Sequence, residues 1–119
     1  MSELVNLKCV ACRGTEPLLT NEEIEALMTE VPEWSLEAEG AVNKLIRIFR
    51  FRNFREAIQF TNRIGEIAEE EGHHPLLQTE WGKVKVVWWT HKIHGLHKND
   101  FIMAAKSDVI YEGDRSKLN

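Results

Sequence analysis

NFREAIQFTNRIGEIAEEEGHHP, residues 53–75, is the stretch on which the fold turns. Asn53 offers a side-chain oxygen to the free amides of a helix N-terminus, and Glu56 follows three residues on, where a carboxylate suits the first turn. Phe54, Ala57, Phe60, Thr61, Ile64, Ile67 and Ala68 recur at three- and four-residue steps, which predicts a helix with one apolar face as far as Glu71. Gly72 is its natural left-handed terminator. Pro75 forbids continuation and holds His74 in the extended region. A helix of this kind needs a partner surface, so the segments on either side must supply a sheet or further helices to cover it.

Working outward towards the N-terminus, Thr20 and Glu23 make a capping box, and Leu19 and Ile24 sit where a hydrophobic staple closes. Ile24, Leu27, Met28 and Val31 form one buried stripe, and Pro32 is expected to stop this first helix after about three turns. Residues 34–38 read as extended, Glu39-Gly40 as a turn, and 45–51 as a strand dense in β-formers, together a hairpin. Working outward the other way, residues 76–81, a turn at Gly82 and residues 84–90 make a second hairpin. Gly95 breaks the chain, and a last helix is expected from about 99 to 109 with Ile102, Ala105 and Val109 on one side. The order is α-β-β-α-β-β-α. It predicts an α+β two-layer sandwich, a four-stranded antiparallel sheet with helices on one face, spanning residues 19–112. Residues 1–18, with Gly14, Pro17 and little periodicity, are expected as an arm, and 113–119 as a polar tail.

Composition narrows the function. The chain has 119 residues with 43% apolar side chains, which suits one core, and 15 basic against 19 acidic residues give a net charge of −4. A polyanionic partner such as nucleic acid is not expected. No apolar run is long enough to cross a membrane, and Met1-Ser2-Glu3-Leu4 does not open a signal peptide, so a cytoplasmic location is the expectation. Cys9 and Cys12 have the spacing of half a zinc site or of a redox pair. A structural zinc wants four ligands, and although His91, His94 and His97 are candidates for the remainder, a thiol pair in an arm is the simpler reading and no metal is expected.

The chemistry lies in Glu69, His73, His74, His91 and Asp100, all at the ends of expected elements. In an antiparallel hairpin the start of the first strand lies beside the end of the second, so His73-His74 and His91 are brought to one edge. Imidazoles exchange protons near neutral pH, and one can donate to a leaving hydroxyl while another accepts a proton elsewhere on the substrate. Asp100, in the first turn of a helix, and Glu69 are placed to orient such rings from behind. The plainer alternative is that His73-His74 is only a solvent-exposed loop and Glu69-Glu70-Glu71 a solvated helix end. Trp88 and Trp89 point to opposite faces of their strand, one into the core and the other towards a pocket or an interface.

Taken together, Glu69, His73-His74-Pro75, Trp81, His91 and Asp100 resemble, in type and spacing, the signature of the pterin-4a-carbinolamine dehydratases, and the resemblance runs from Thr20 to about Tyr111. It implies dehydration of a 4a-hydroxytetrahydropterin, such as 4a-hydroxytetrahydrobiopterin, to the quinonoid dihydropterin, without metal or organic cofactor, downstream of an aromatic amino acid hydroxylase. By the same resemblance His73 and His91 are the acid and base candidates and His74 supports and binds the pterin. Glu69 and Asp100 tune the imidazoles, and Gly72, Pro75, Trp89 and Thr90 contact the flat ring alongside the histidines. Homodimers that extend the sheet edge to edge, or homotetramers, are implied as well. His97 stands where the family commonly has a small hydroxyl cap, which predicts a looser start to the last helix, and Trp88-Trp89 is expected to narrow the slot. The alternative function is a pterin-site binding or assembly factor, linked to molybdopterin or to protein dimerisation, with catalysis secondary or lost.

Overall fold

The computed structural model describes residues 3–10 and 13–117, with side chains up to residue 113. Helix α1, Asn21–Met28, leads into strands β1, Ser35–Glu39, and β2, Val42–Arg50; helix α2, Phe54–Glu71, leads into β3, Leu76–Glu80, and β4, Lys83–Trp88; helix α3, Lys98–Lys117, closes the domain. The strands form one antiparallel sheet in the order β1-β2-β4-β3, and α2 and α3 pack on the same face of it. This is the α+β sandwich in the order read from the sequence.

Local chemistry explains the elements. The Glu23 amide donates to Thr20 Oγ1 at 3.1 Å and the Thr20 amide to Glu23 Oε1 at 2.9 Å, closing the capping box. The Glu56 amide donates to Asn53 Oδ1 at 2.9 Å, and Gly72, at φ 65°, ends α2 in the left-handed region that a side chain resists. The core-facing residues of β2 and β4, Leu45, Phe49, Val84, Val86 and Trp88, meet Ala57, Phe60 and Ile64 of α2 and Phe101, Met103 and Ala104 of α3. At one end of this core Phe49, Phe51, Phe60 and Tyr111 cluster, with the rings of Phe49 and Phe60 4.6 Å apart and those of Phe49 and Tyr111 4.9 Å apart.

Several boundaries differ from the sequence reading. Helix α1 is shorter than about three turns: after Met28 the amides of Glu30, Val31 and Trp34 bond three residues back, and these tighter turns carry Val31 into the core. Strand β3 stops at Glu80, leaving Trp81 in the turn and 72% exposed, and β4 stops at Trp88. Helix α3 does not give way to a tail at 113 but continues to Lys117. Tyr111 is buried and its hydroxyl donates to Arg50 O at 3.0 Å, which anchors the helix beyond the expected stop, and a single Gly113 costs only about 1 kcal/mol in a helix.

The segment before α1 lies on the domain. Glu3–Asn6 makes a 3-10 turn that buries Leu4, the Lys106 ammonium donates to Val5 O at 2.9 Å, and the Leu19 amide to Leu96 O at 3.2 Å. Cys12 lies outside the described residues.

Candidate active site

The hairpin argument sets the site's position. β3 pairs with β4 so that Leu76 faces Val87; the residues just before β3 and just after β4 therefore emerge side by side. Gly72, His73, His74, Thr90, His91 and Lys92 line one cavity of about 260 Å³ at that edge. All three imidazoles singled out in the sequence border it. His91 does not end β4 but opens a 3-10 turn, His91–Ile93, because Thr90 and Gly95 pair in an isolated bridge that folds the loop back, the Thr90 amide donating to Gly95 O at 2.8 Å.

Each imidazole is held differently. His73 is 8% exposed, and its Nε2 lies 2.6 Å from Asp100 Oδ1. An ionised carboxylate can only accept, which assigns the proton to Nε2 in that pairing and leaves Nδ1 as the ring nitrogen that does not face Asp100. His74 makes the equivalent contact from the solvent side, Nε2 to Glu69 Oε2 at 2.6 Å, with both side chains well exposed, so this pair is screened by water. His91 has an aromatic support instead: its ring stacks on Trp89 at 4.3 Å and 19°, and the Lys44 ammonium sits over the Trp89 ring at 4.1 Å. Lys44 is itself paired with Glu39 at 2.9 Å.

Asp100 is the node behind the cavity. It is fully buried and accepts from three directions: His73 Nε2, the Thr90 hydroxyl at 2.8 Å and the His97 amide at 2.9 Å. Three donors compensate the loss of water around the carboxylate. The last of these closes a reciprocal cap, since the Asn99 amide donates to His97 Nδ1 at 3.0 Å. An imidazole thus fills the place of the expected hydroxyl, and the looser start predicted for α3 is not found; Nδ1 presents a lone pair in the plane of the ring, which a short side chain allows to reach the first-turn amides. Among the described residues no group of three His, Cys, Asp or Glu side chains is placed to hold a metal ion.

Of the residues expected at the ring-binding surface, Gly72, His73, His74, Thr90 and His91 line the cavity, whereas Pro75 and Trp89 are not part of the lining. Pro75 shapes the exit from α2, and Trp89 backs His91. Trp88 is the core partner of the pair, 0% exposed, with its indole N–H donating to Ser107 Oγ at 3.2 Å and its ring parallel to His73 at 5.8 Å. Lys92 is a lining residue that the sequence reading does not single out, although its position beside His91 in a tight turn is a signal that the two share a rim. Cys9 approaches the site from the arm, its amide donating to Glu71 Oε1 at 2.7 Å. Burial, then the carboxylates of Glu71 and Asp100, push its thiol up to about 12, so it is an inert thiol rather than a nucleophile.

Comparison with known proteins places the chain among similar sequences and one similar structure. The family described as pterin 4 alpha carbinolamine dehydratase matches residues 17–110. A protein of Saccharophagus degradans provisionally named pterin-4-alpha-carbinolamine dehydratase is 52% identical over 113 residues, covering 95% of this chain and 100% of the relative. A protein of the same provisional name from Chlorobium luteolum is 53% identical over 112 residues, 94% of this chain and 98% of the relative. The crystal structure of a transcriptional coactivator/pterin dehydratase from Brucella melitensis superposes with a TM-score of 0.73 at 27% identity, covering 80% of this chain and 99% of that one.

Proposed function

Since the chain belongs to the pterin 4 alpha carbinolamine dehydratase family, we propose that it removes water from a 4a-hydroxytetrahydropterin to give the quinonoid dihydropterin, as a hydro-lyase in tetrahydropterin recycling. The reaction breaks the bond from C4a to the hydroxyl oxygen and forms a ring C=N bond. One proton goes to the departing hydroxyl and one leaves the ring nitrogen, so no net proton is consumed. His73 and His91 are the two imidazoles assigned to these transfers, and His74 binds and supports the heterocycle. Asp100 holds His73, and Glu69 holds His74. Gly72 and Thr90 border the flat ring.

What supports the reading is one observation: imidazoles from the two ends of a hairpin line a single cavity, with the nitrogens of His73 and His74 that do not face a carboxylate left over for a ligand. The test is the rate of dehydration of freshly generated carbinolamine by the purified protein. Replacing His73 or His91 by Ala is expected to cost on the order of a hundredfold. Equal turnover in the wild type and both variants would overturn the acid-base assignment.

A second reading is prompted by the Brucella protein, which is described as a transcriptional coactivator as well as a pterin dehydratase. A protein that only binds pterin or assembles on a partner would take up pterin in calorimetry and leave dehydration at its uncatalysed rate. Homodimers or homotetramers belong to the first reading too, since β1 and β3 are the outer strands of the sheet, and so does a functional link to an aromatic amino acid hydroxylase.

A further inference from the structure

The family match begins at residue 17, yet residues 4–10 make some of the most deliberate contacts in the chain. Asn99 is 2% exposed, and its carboxamide pairs with the backbone of Val10 in both directions: the Val10 amide donates to Oδ1 at 3.0 Å and Nδ2 donates to Val10 O at 2.8 Å. The neighbouring Cys9 amide donates to Glu71 Oε1 at 2.7 Å. One short piece of backbone is therefore tied at once to the last residue of α2 and to the first turn of α3. Those are the two helix ends that deliver His73 and Asp100. Further along, Lys106 of α3 holds Val5 O, and Leu4 is buried in the core, so the piece is anchored upstream as well.

We propose that residues 4–10 are a strap that sets the separation of these two helix ends, and that Asn99 is a positioning residue which, through the strap, keeps Asp100 within hydrogen-bonding reach of His73. The proposal rests on the dehydratase reading for its effect on rate, but not for its effect on geometry. A hydrogen bond of 2.6 Å tolerates little displacement of either helix, and misplacing a proton-transfer group by a fraction of an ångström is costly to the chemical step rather than to binding. The strap is tied through Glu71, Asn99 and Lys106, and the cavity is lined by other residues, which separates this role from substrate binding.

Two variants and two readouts decide it. Asn99→Ala removes both bonds to Val10. Val10→Pro removes only the amide donor, at a residue 61% exposed, and serves if the buried substitution fails to fold. In the folded variants kcat is expected to fall about tenfold with KM within about twofold. In parallel, the His73 imidazole N–H resonance, expected downfield in the wild type because of the 2.6 Å contact with Asp100, should be lost to exchange with water although circular dichroism is unchanged. A kcat within twofold of wild type together with an intact resonance would overturn the strap. If the wild type itself does not accelerate carbinolamine dehydration, the functional reading falls, and the resonance in wild type and variants still decides the strap.

Discussion

Asp100 and Asp108 stand about two turns apart on helix α3, and the charges that face them differ in kind. Asp108 Oδ1 meets the Arg47 guanidinium at 2.6 Å and the Trp34 indole N–H at 2.8 Å, with Arg47 lying over the Phe49 ring at 4.4 Å. Its cation is permanent. Asp100 meets a backbone amide, a hydroxyl and an imidazole, the last of which can gain or lose a proton. The same residue type on the same helix therefore makes a fixed clamp at its middle and, under the dehydratase reading, a proton-responsive support in its first turn. A partner that cannot change its charge is suited to holding strand β2 to a helix; a partner that can is suited to chemistry.

Substitution should separate the two carboxylates. Asp100→Asn withdraws one acceptor oxygen from a full set of donors, and we expect kcat for carbinolamine dehydration to fall on the order of a hundredfold; Asp108→Asn should stay within about twofold of wild type. Comparable losses in both would erase the distinction. Asp108→Ala is the largest expected change in stability, about 3 kcal/mol by urea unfolding, because it leaves a mostly buried guanidinium and an indole N–H without their acceptor. A loss below about 1 kcal/mol would mean that the clamp is only a surface pair.

The pH dependence at Asp108 sharpens the contrast. Burial outweighs the Trp34 and Arg47 donors and holds its carboxyl above the usual value. The folded protein therefore takes up this proton at a higher pH than the unfolded chain. Asp108 adds stability as pH falls through its raised value towards the unfolded one, and that contribution is lost again as pH rises. The wild type minus Asp108→Asn difference in urea midpoint should move in favour of the wild type on acidification from pH 7; a flat or opposite trend would refute the burial argument. The smallest effect concerns Cys9. With its thiol pushed up to about 12, the thiolate fraction at pH 8 is on the order of one in ten thousand, so alkylation followed by peptide mass mapping should find it slow. Because Asp100 contributes to that shift, Asp100→Asn should speed labelling severalfold whereas Asp108→Asn should not.

What is legible in the sequence is whatever is written locally. The cap at Asn53, the box at Thr20 and Glu23, and the terminator Gly72 each occupy a few consecutive residues, and each carries the bond or backbone angle that its residue types predict. The two hairpins follow from turns at Gly40 and Gly82, and with them the meeting of His73-His74 with His91. The remainder depends on distance along the chain. Val10 and Asn99 are 89 residues apart, and no periodicity in either segment announces that a carboxamide will bridge them. Helix α3 runs past its expected stop because Tyr111 is anchored by Arg50, 61 residues away, against the local preference of a polar tail. His97 departs from expectation for a chemical reason: imidazole is absent from the usual roster of capping side chains, although Nδ1 is a competent acceptor.

The stacking of two imidazoles on two tryptophans carries a spectroscopic consequence. An imidazolium beside an indole quenches its emission more than the neutral ring does, so Trp88 behind His73 and Trp89 behind His91 are internal fluorophores, each paired with one of the rings assigned to proton transfer. Fluorescence of the unliganded protein, with each tryptophan replaced in turn by phenylalanine, would then report on the two rings apart from one another, as two optical signals from one cavity.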